Sequence, residues 1–232
     1  MIFSRKKKSE LVFRTNFEVT PEIAPRYLSQ LKPSWFSNMP NDSTDSTTIK
    51  RCPGFSLFFQ RSILVPSWTD VAVKYHEDGS FLARVPNPWP EDGDGITSHS
   101  RQQYPGAFEQ YDNIKLTDYW TLEGTKGLDI MVVPVMPPNP EWEAATGAWE
   151  PHADKHHVFN VNLWLKRPPL GQVWEYTIKR GDPLCYIVPL TETLPKVTAK
   201  VESDPNYWRR IGFVGEFDVT AEYLKKKTKL KR

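Results

Sequence analysis

Proline limits this chain more than any other residue. Twenty-one prolines are scattered through its 232 residues. Each one in a helix interior costs about 3 kcal/mol relative to alanine, which excludes a helical bundle. Pro21, Pro25 and Pro33 confine any early helix to the stretch from Pro25 to Leu31. Between the prolines the sequence alternates or is β-branched. Glu10 to Val19 opens with Leu11 and Phe13 on one side and Val12 and Arg14 on the other, the pattern of a half-buried strand. Ile63, Leu64 and Val65 make a short apolar strand that Pro66 ends. Val71, Val73 and Tyr75 alternate, His76-Glu77-Asp78-Gly79 interrupts, and Phe81, Ala83 and Val85 resume the period of two. Asp-Gly between two alternating runs is a hairpin signal.

Ile114–Leu122, Leu128–Met136, Val158–Leu165, Val173–Ile178 and Pro183–Leu190 also read as strands, the last two joined by Lys179-Arg180-Gly181-Asp182. Leu128–Met136 has the texture of a strand covered on both faces. Together with Val158–Leu165 and Pro183–Leu190 it is expected at the centre of a sheet, because these runs are the most apolar and β-branched. Only Ser203–Ile211, with Tyr207 and Ile211 on one face, and Val219–Lys227, capped by Thr220, look helical. Cys52, Pro53 and Gly54 read as a turn leading into core phenylalanines at Phe55, Phe58 and Phe59. The expectation is a mainly β single domain, a β-sandwich or β-barrel with one or two short helices near the C-terminus. That domain covers residues 11–224, with long loops at about 38–48 and 86–105. No internal repeat has a solenoid or propeller period.

Charge divides the chain in three. Residues 1–8 carry Arg5, Lys6, Lys7 and Lys8, and residues 225–232 carry Lys225, Lys226, Lys227, Lys229, Lys231 and Arg232, both without an acid. With those ten set aside, 20 basic residues face 28 acidic ones, so the body stands at −8. A basic N-terminal arm (1–10) and a basic C-terminal tail (225–232) on an acidic body do not make the basic face of a nucleic-acid-binding domain. They allow weak, non-specific, salt-sensitive contact with nucleic acid through Lys6, Lys7, Lys8, Lys225, Lys226 and Lys227. No apolar run approaches the roughly 20 residues of a membrane-spanning helix. MIFSRKKKSE puts charge where a signal peptide needs its apolar core, so neither a membrane partner nor secretion is expected.

The densest cluster of ligand-type side chains is Glu150-Pro151-His152-Ala153-Asp154-Lys155-His156-His157. On an extended segment His152 and Asp154 project to the same side, so an imidazole and a carboxylate can take adjacent corners of one metal. A distal histidine would complete a two-His-one-carboxylate triad. HADKHHVFNVNLWL resembles the metal-binding strand of the iron- and 2-oxoglutarate-dependent oxygenases. The resemblance implies Fe(II) and 2-oxoglutarate as cofactors, with His152 and Asp154 as metal ligands. The departure lies in the third ligand, which that family places well downstream. All five histidines here (His76, His99, His152, His156, His157) lie at or before residue 157. Residues 150–157 therefore read as a polar loop entering a strand, and no cofactor is expected.

Other catalytic signatures are missing. There is no Gly-x-Ser-x-Gly elbow, phosphate-cradling glycine loop, paired-cysteine zinc spacing or dinucleotide fingerprint. The two cysteines, Cys52 and Cys185, are expected as unpaired thiols, with Cys185 buried in the apolar run Leu184–Leu190.

Two segments carry a second resemblance. Cys52-Pro53-Gly54-Phe55, Phe58-Phe59 and Ile63-Leu64-Val65-Pro66-Ser67-Trp68-Thr69-Asp70 form the first, and WEYTIKRGDPLCYIVP, Trp174 to Pro189, the second. Both resemble an uncharacterised β-rich protein family of tailed phages, including those of cyanobacteria. The resemblance implies a phage-encoded β protein in the cytoplasm of a bacterial host during infection, or in the virion. It supplies no catalytic residues. The expected function is non-enzymatic binding to a viral or host protein, as a virion component or as a modulator. Trp89, Trp142 and Trp149 are the expected contact residues, since all three lie in Pro- or Gly-containing loops where exposed indoles serve contacts.

Overall fold

Strand dominates, as the spacing of the prolines requires. The protein is described by a computed structural model over residues 9–42, 48–85, 95–100, 103, 106–151 and 157–208. Its strands are β1 (Glu10–Thr15), β2 (Arg26–Tyr27), β3 (Ile63–Pro66), β4 (Val71–Tyr75), β5 (Phe81–Arg84), β6 (Ile96–Ser98) and β7 (Tyr111–Gly124), followed by β8 (Ile130–Val133), β9 (Trp142–Ala144), β10 (Gly147–Trp149), β11 (His157–Lys166), β12 (Trp174–Ile178), β13 (Pro183–Pro189) and β14 (Lys196–Val201). The α-helices are α1 (Leu28–Leu31), α2 (Ser34–Ser37) and α3 (Pro53–Arg61), and residues 205–208 form a helical turn. Among the described residues no helix is long and apolar enough to cross a membrane.

The strands form three sheets. The first runs β14-β1-β7-β11-β9, with β6 also paired to β7; the second runs β10-β8-β13-β3-β2; the third runs β12-β4-β5. Among the described residues the arrangement is β-sandwich-like with no closed barrel, which favours the sandwich over the barrel. β8, β11 and β13 each have a strand on both sides, as their apolar sequences imply. Every described pairing is antiparallel except β1 with β14, which runs parallel from Glu10↔Lys196 to Thr15↔Val201.

The second and third sheets share one continuous ribbon. β3 pairs with β13 and β4 with β12, so the stretch 63–75 lies against 174–189. The ribbon bends where Ser67 N–H donates to the Asp182 carbonyl and Gly181 N–H donates to the Ser67 carbonyl, both at 2.7 Å. Gly181 adopts φ +89° there, a conformation that a Cβ would strain. Residues 63–75 and 174–189 thus meet as hydrogen-bonded partners.

One apolar core draws on all three sheets, taking Phe13, Trp120 and Phe159 from the first, Val65 and Ile187 from the second and Val71 and Val73 from the third. Phe13 makes T-shaped contacts with Trp120 at 5.8 Å and with Phe159 at 6.2 Å, the geometry that the ring quadrupoles favour. A smaller cluster lies beneath the helices. Trp35, Phe36, Phe55 and Phe58 pack with Leu28, Phe59, Val135 and Tyr186, and Phe36 stacks on Phe59 at 4.2 Å.

The helices depart from expectation. Residues 53–61 are helical, where a turn at Pro53-Gly54 leading into core phenylalanines was expected. Pro53 occupies the first helical turn, where its missing N–H costs nothing, and Phe55, Phe58 and Phe59 recur at helical spacing, i, i+3 and i+4. Helix therefore appears in the N-terminal third as well as after residue 202. Of the segment Ser203–Ile211, residues 205–208 are helical and Tyr207 is buried, its hydroxyl 2.7 Å from that of Thr121. Val219–Lys227 lies outside the described residues.

Candidate functional site

The third sheet positions the site. Val71, Val73 and Tyr75 of β4 are buried and Ala72 and Lys74 are exposed, so one face of this sheet belongs to the core and the other to solvent. At its tip the β4–β5 connection closes tightly. His76 N–H donates to the Ser80 carbonyl, and Gly79 N–H donates to the His76 carbonyl, both at 2.9 Å. The Asp78 carboxylate accepts from the Ser80 hydroxyl at 2.6 Å and from its N–H at 2.9 Å, which lowers the Asp78 pKa. Gly79 has φ +77°. A Cβ there would also lie 2.8 Å from a Leu170 methyl carbon, so glycine admits the loop after β11 against the hairpin. Gly171 N–H completes the contact by donating to the Glu77 carbonyl at 3.0 Å.

This docking leaves a run of large apolar side chains in water. Leu170 is 76% exposed, Val173 54% and Trp174 43%. They lie within five residues of one another, where β12 begins. β12 is also an edge strand, with β4 on one side and no described strand on the other. An edge of this kind offers unpaired backbone donors and acceptors to another chain.

The solvent face of the same sheet is a shallow depression of about 330 Å³, lined by Ala72, Lys74, Leu82, Arg84, Glu175 and Thr177, with Val73 and Tyr176 at its margin. Register explains the hollow. Arg84, Ala72 and Thr177 form one cross-strand row and Leu82, Lys74 and Glu175 the next, so the smallest side chain sits in the middle. Lys74 is ion-paired with Glu175.

Under the core side of the sheet lies a polar group. Asp112 is buried, and its carboxylate faces the Arg167 guanidinium at 3.4 Å. Burial, followed by the negative charge of Asp112, raises the Tyr75 pKa. Tyr176 is raised by burial and then by Glu141 and Asp112. Both phenols therefore stay protonated and neutral.

The chain matches no protein-family model, no curated protein and no solved structure. Its function has to be read from its own surface.

That surface is not where the tryptophans pointed. Trp142 is 4% exposed, so its indole belongs to the core and the expectation of an exposed contact residue is corrected. The Pro-rich approach to it turns into β9, whose pairing with Leu165 of β11 puts the ring inward, while the Trp142 backbone N–H donates to the Asn139 side-chain oxygen at 3.3 Å. Trp149 is half-buried and stacks on Phe159 at 5.5 Å. Trp89, His152, Asp154, Lys6, Lys7, Lys8, Lys225, Lys226 and Lys227 lie outside the described residues. Among the described residues the exposed indole is Trp174. The rule that nominated the others, a tryptophan near Pro and Gly, reaches it equally well through Pro168, Pro169 and Gly171.

Nucleophilic chemistry finds little support in the described residues. Cys185 is fully buried, and desolvation pushes its thiol pKa up, away from the reactive thiolate. Cys52 is exposed at the start of α3. Among the described residues no three His, Cys, Asp or Glu side chains converge as a metal site would require.

Proposed function

We propose that this chain is a non-enzymatic β protein of a tailed phage that works by binding another protein, through the surface formed by Leu170, Val173 and Trp174. One observation carries the reading: three large apolar side chains stand in solvent within five residues, leading into a strand whose outer edge has no described partner. Exposed apolar clusters of this kind mark interaction sites, and tryptophan is the residue most enriched among energetic hot spots. The resemblance of residues 52–70 and 174–189 to the phage family supports the phage origin, and the pairing of those segments explains why the resemblance concerns fold and not chemistry.

The partner is a viral or a host protein, and the protein acts in the infected bacterial cytoplasm or within the particle. Mass spectrometry of purified particles distinguishes a virion component from a host modulator. A photocrosslinker at Val173 tests the surface itself. One protein crosslinked from Val173, lost with Trp174→Ala and not crosslinked from Lys126, is the expected outcome. Equal crosslinking from both positions would overturn the reading. The oxygenase reading through His152 and Asp154 would displace it if the purified protein held stoichiometric Fe(II) and turned over 2-oxoglutarate.

A further inference from the structure

We propose that Arg167 is the positioning residue of the Leu170–Trp174 surface, a latch that holds the loop between β11 and β12 in one conformation and so keeps its apolar side chains presented. The purpose of that presentation rests on the protein-binding reading, while the latch is a property of the free chain. Burying apolar area is favourable, so a loop free to move would fold Leu170, Val173 and Trp174 back onto the surface beside them. Leu170 nevertheless stands 76% exposed. Something restrains the loop.

The restraint begins at Arg167, whose three guanidinium nitrogens have three different neighbours. Nε faces the buried Asp112 carboxylate at 3.4 Å, and Nη1 donates to the Glu109 carbonyl at 3.1 Å. Nη2 lies 3.2 Å from where a Cβ of Gly79 would stand. One planar group thus joins the start of β7 to the tip of the β4–β5 hairpin, which the rigid fork of a guanidinium permits and the single nitrogen of a lysine does not. The Arg167 backbone N–H adds a bond to the Gln110 carbonyl at 3.0 Å. Pro168 and Pro169 then remove two backbone rotations from the loop. A Leu170 methyl carbon lies 2.8 Å from the same Cβ position at Gly79, and Gly171 N–H donates to the Glu77 carbonyl at 3.0 Å. Trp174 is paired with Tyr75 in the sheet. The run is clamped at both ends and in its middle, the kind of preorganisation that lowers the entropy cost of binding.

Two variants test the latch from opposite sides. Arg167→Lys keeps a positive charge beside Asp112, so the buried carboxylate retains its counter-charge, but it cannot serve Glu109 and the hairpin tip as well. Gly79→Ala places a Cβ against the Leu170 methyl and Arg167 Nη2. In both, hydrogen exchange followed by NMR is expected to quicken at the Gly171 amide by about tenfold or more. The Gly181 amide, bonded to the Ser67 carbonyl at 2.7 Å, is expected to keep its wild-type rate, which separates a loosened loop from a weakened fold. Photocrosslinking from Val173 is expected to fall in both variants, although neither removes a contact residue. A Gly171 amide that exchanges at the wild-type rate in Arg167→Lys would overturn the latch. Loosened loops that still crosslink as the wild type does would overturn its positioning role. A wild-type chain that gives no specific crosslink would defeat the protein-binding reading instead, and the Gly171 rates would still decide the latch.

Discussion

Arg180 holds Glu22 across the bend of the shared ribbon, with its Nε 2.6 Å from the Glu22 carboxylate. The same guanidinium donates to the Trp68 carbonyl and the Thr20 hydroxyl, both at 3.0 Å, while its backbone N–H donates to the Asp70 carboxylate at 2.7 Å. One side chain therefore ties the segment before β2 to the corner between the second and third sheets.

Acid should loosen this corner. The hydrogen bond from Arg180 lowers the Glu22 pKa below its ordinary 4.5. A carboxylate whose pKa falls on folding stabilises the fold above its unfolded value, and that contribution fades as pH drops through the lower, folded one. NMR titration of the Glu22 side chain should give a midpoint below 4.5, and Arg180→Ala should return it to the ordinary value. An unchanged midpoint in the variant would show that the ion pair does not form in solution.

The two thiols should differ sharply. Cys52 is exposed and Cys185 is buried with its pKa raised by desolvation. A thiol-specific chromogenic reagent should titrate one equivalent in the native protein and two in denaturant, with Cys52→Ser abolishing the native signal. Fast native labelling of both would mean that β13 opens readily.

Two tryptophans separate packing from binding. Trp142→Ala removes a ring from the core and should cost about 3–5 kcal/mol in chemical denaturation. Trp174→Ala should cost about 1 kcal/mol or less and should impair crosslinking from Val173. If the stability losses were reversed, the assignment of Trp174 as the contact residue would fail.

The basic tail should be dispensable for folding. Tyr207 and Trp208 are anchored ahead of it, Trp208 through its indole N–H to the Glu202 carbonyl at 2.7 Å and Tyr207 under the Arg14 guanidinium at 5.3 Å. Deleting residues 225–232 should leave the unfolding transition unchanged while abolishing weak DNA binding at low salt. That binding should follow a log–log salt slope of about −0.9 per neutralised duplex phosphate. Binding that persists at physiological salt after the deletion would reveal a site on the body.

Much of the fold was legible in the sequence because side-chain alternation is a local signal. The hairpin at Asp78-Gly79, the internal strands β8, β11 and β13 and the buried Cys185 all follow from patterns within ten residues. The misses have physical reasons. Lys196–Val201 pairs only through a parallel partner some 180 positions away, and its own half-polar composition does not announce a strand. α3 was masked because three phenylalanines close together suit either element, and only their spacing separates helix from strand. Trp142 was misplaced because exposure depends on which strand a residue joins, and a neighbouring proline carries no information about that. The exposed run at Leu170–Trp174 is visible as residues, but its exposure arises from the docking of Leu170 beside Gly79, a contact between distant loops.

The parallel pairing of β1 with β14 has a consequence for synthesis. β1 leaves the ribosome well before β14, since Glu10 pairs with Lys196, so one side of β1 lacks its neighbour until residue 201 has been made. During that interval the nascent chain carries an open, half-apolar strand, the kind of surface that draws chaperones or promotes misassembly on a crowded polysome. Chains truncated before residue 196 should be recovered as aggregates, because β14 seals β1.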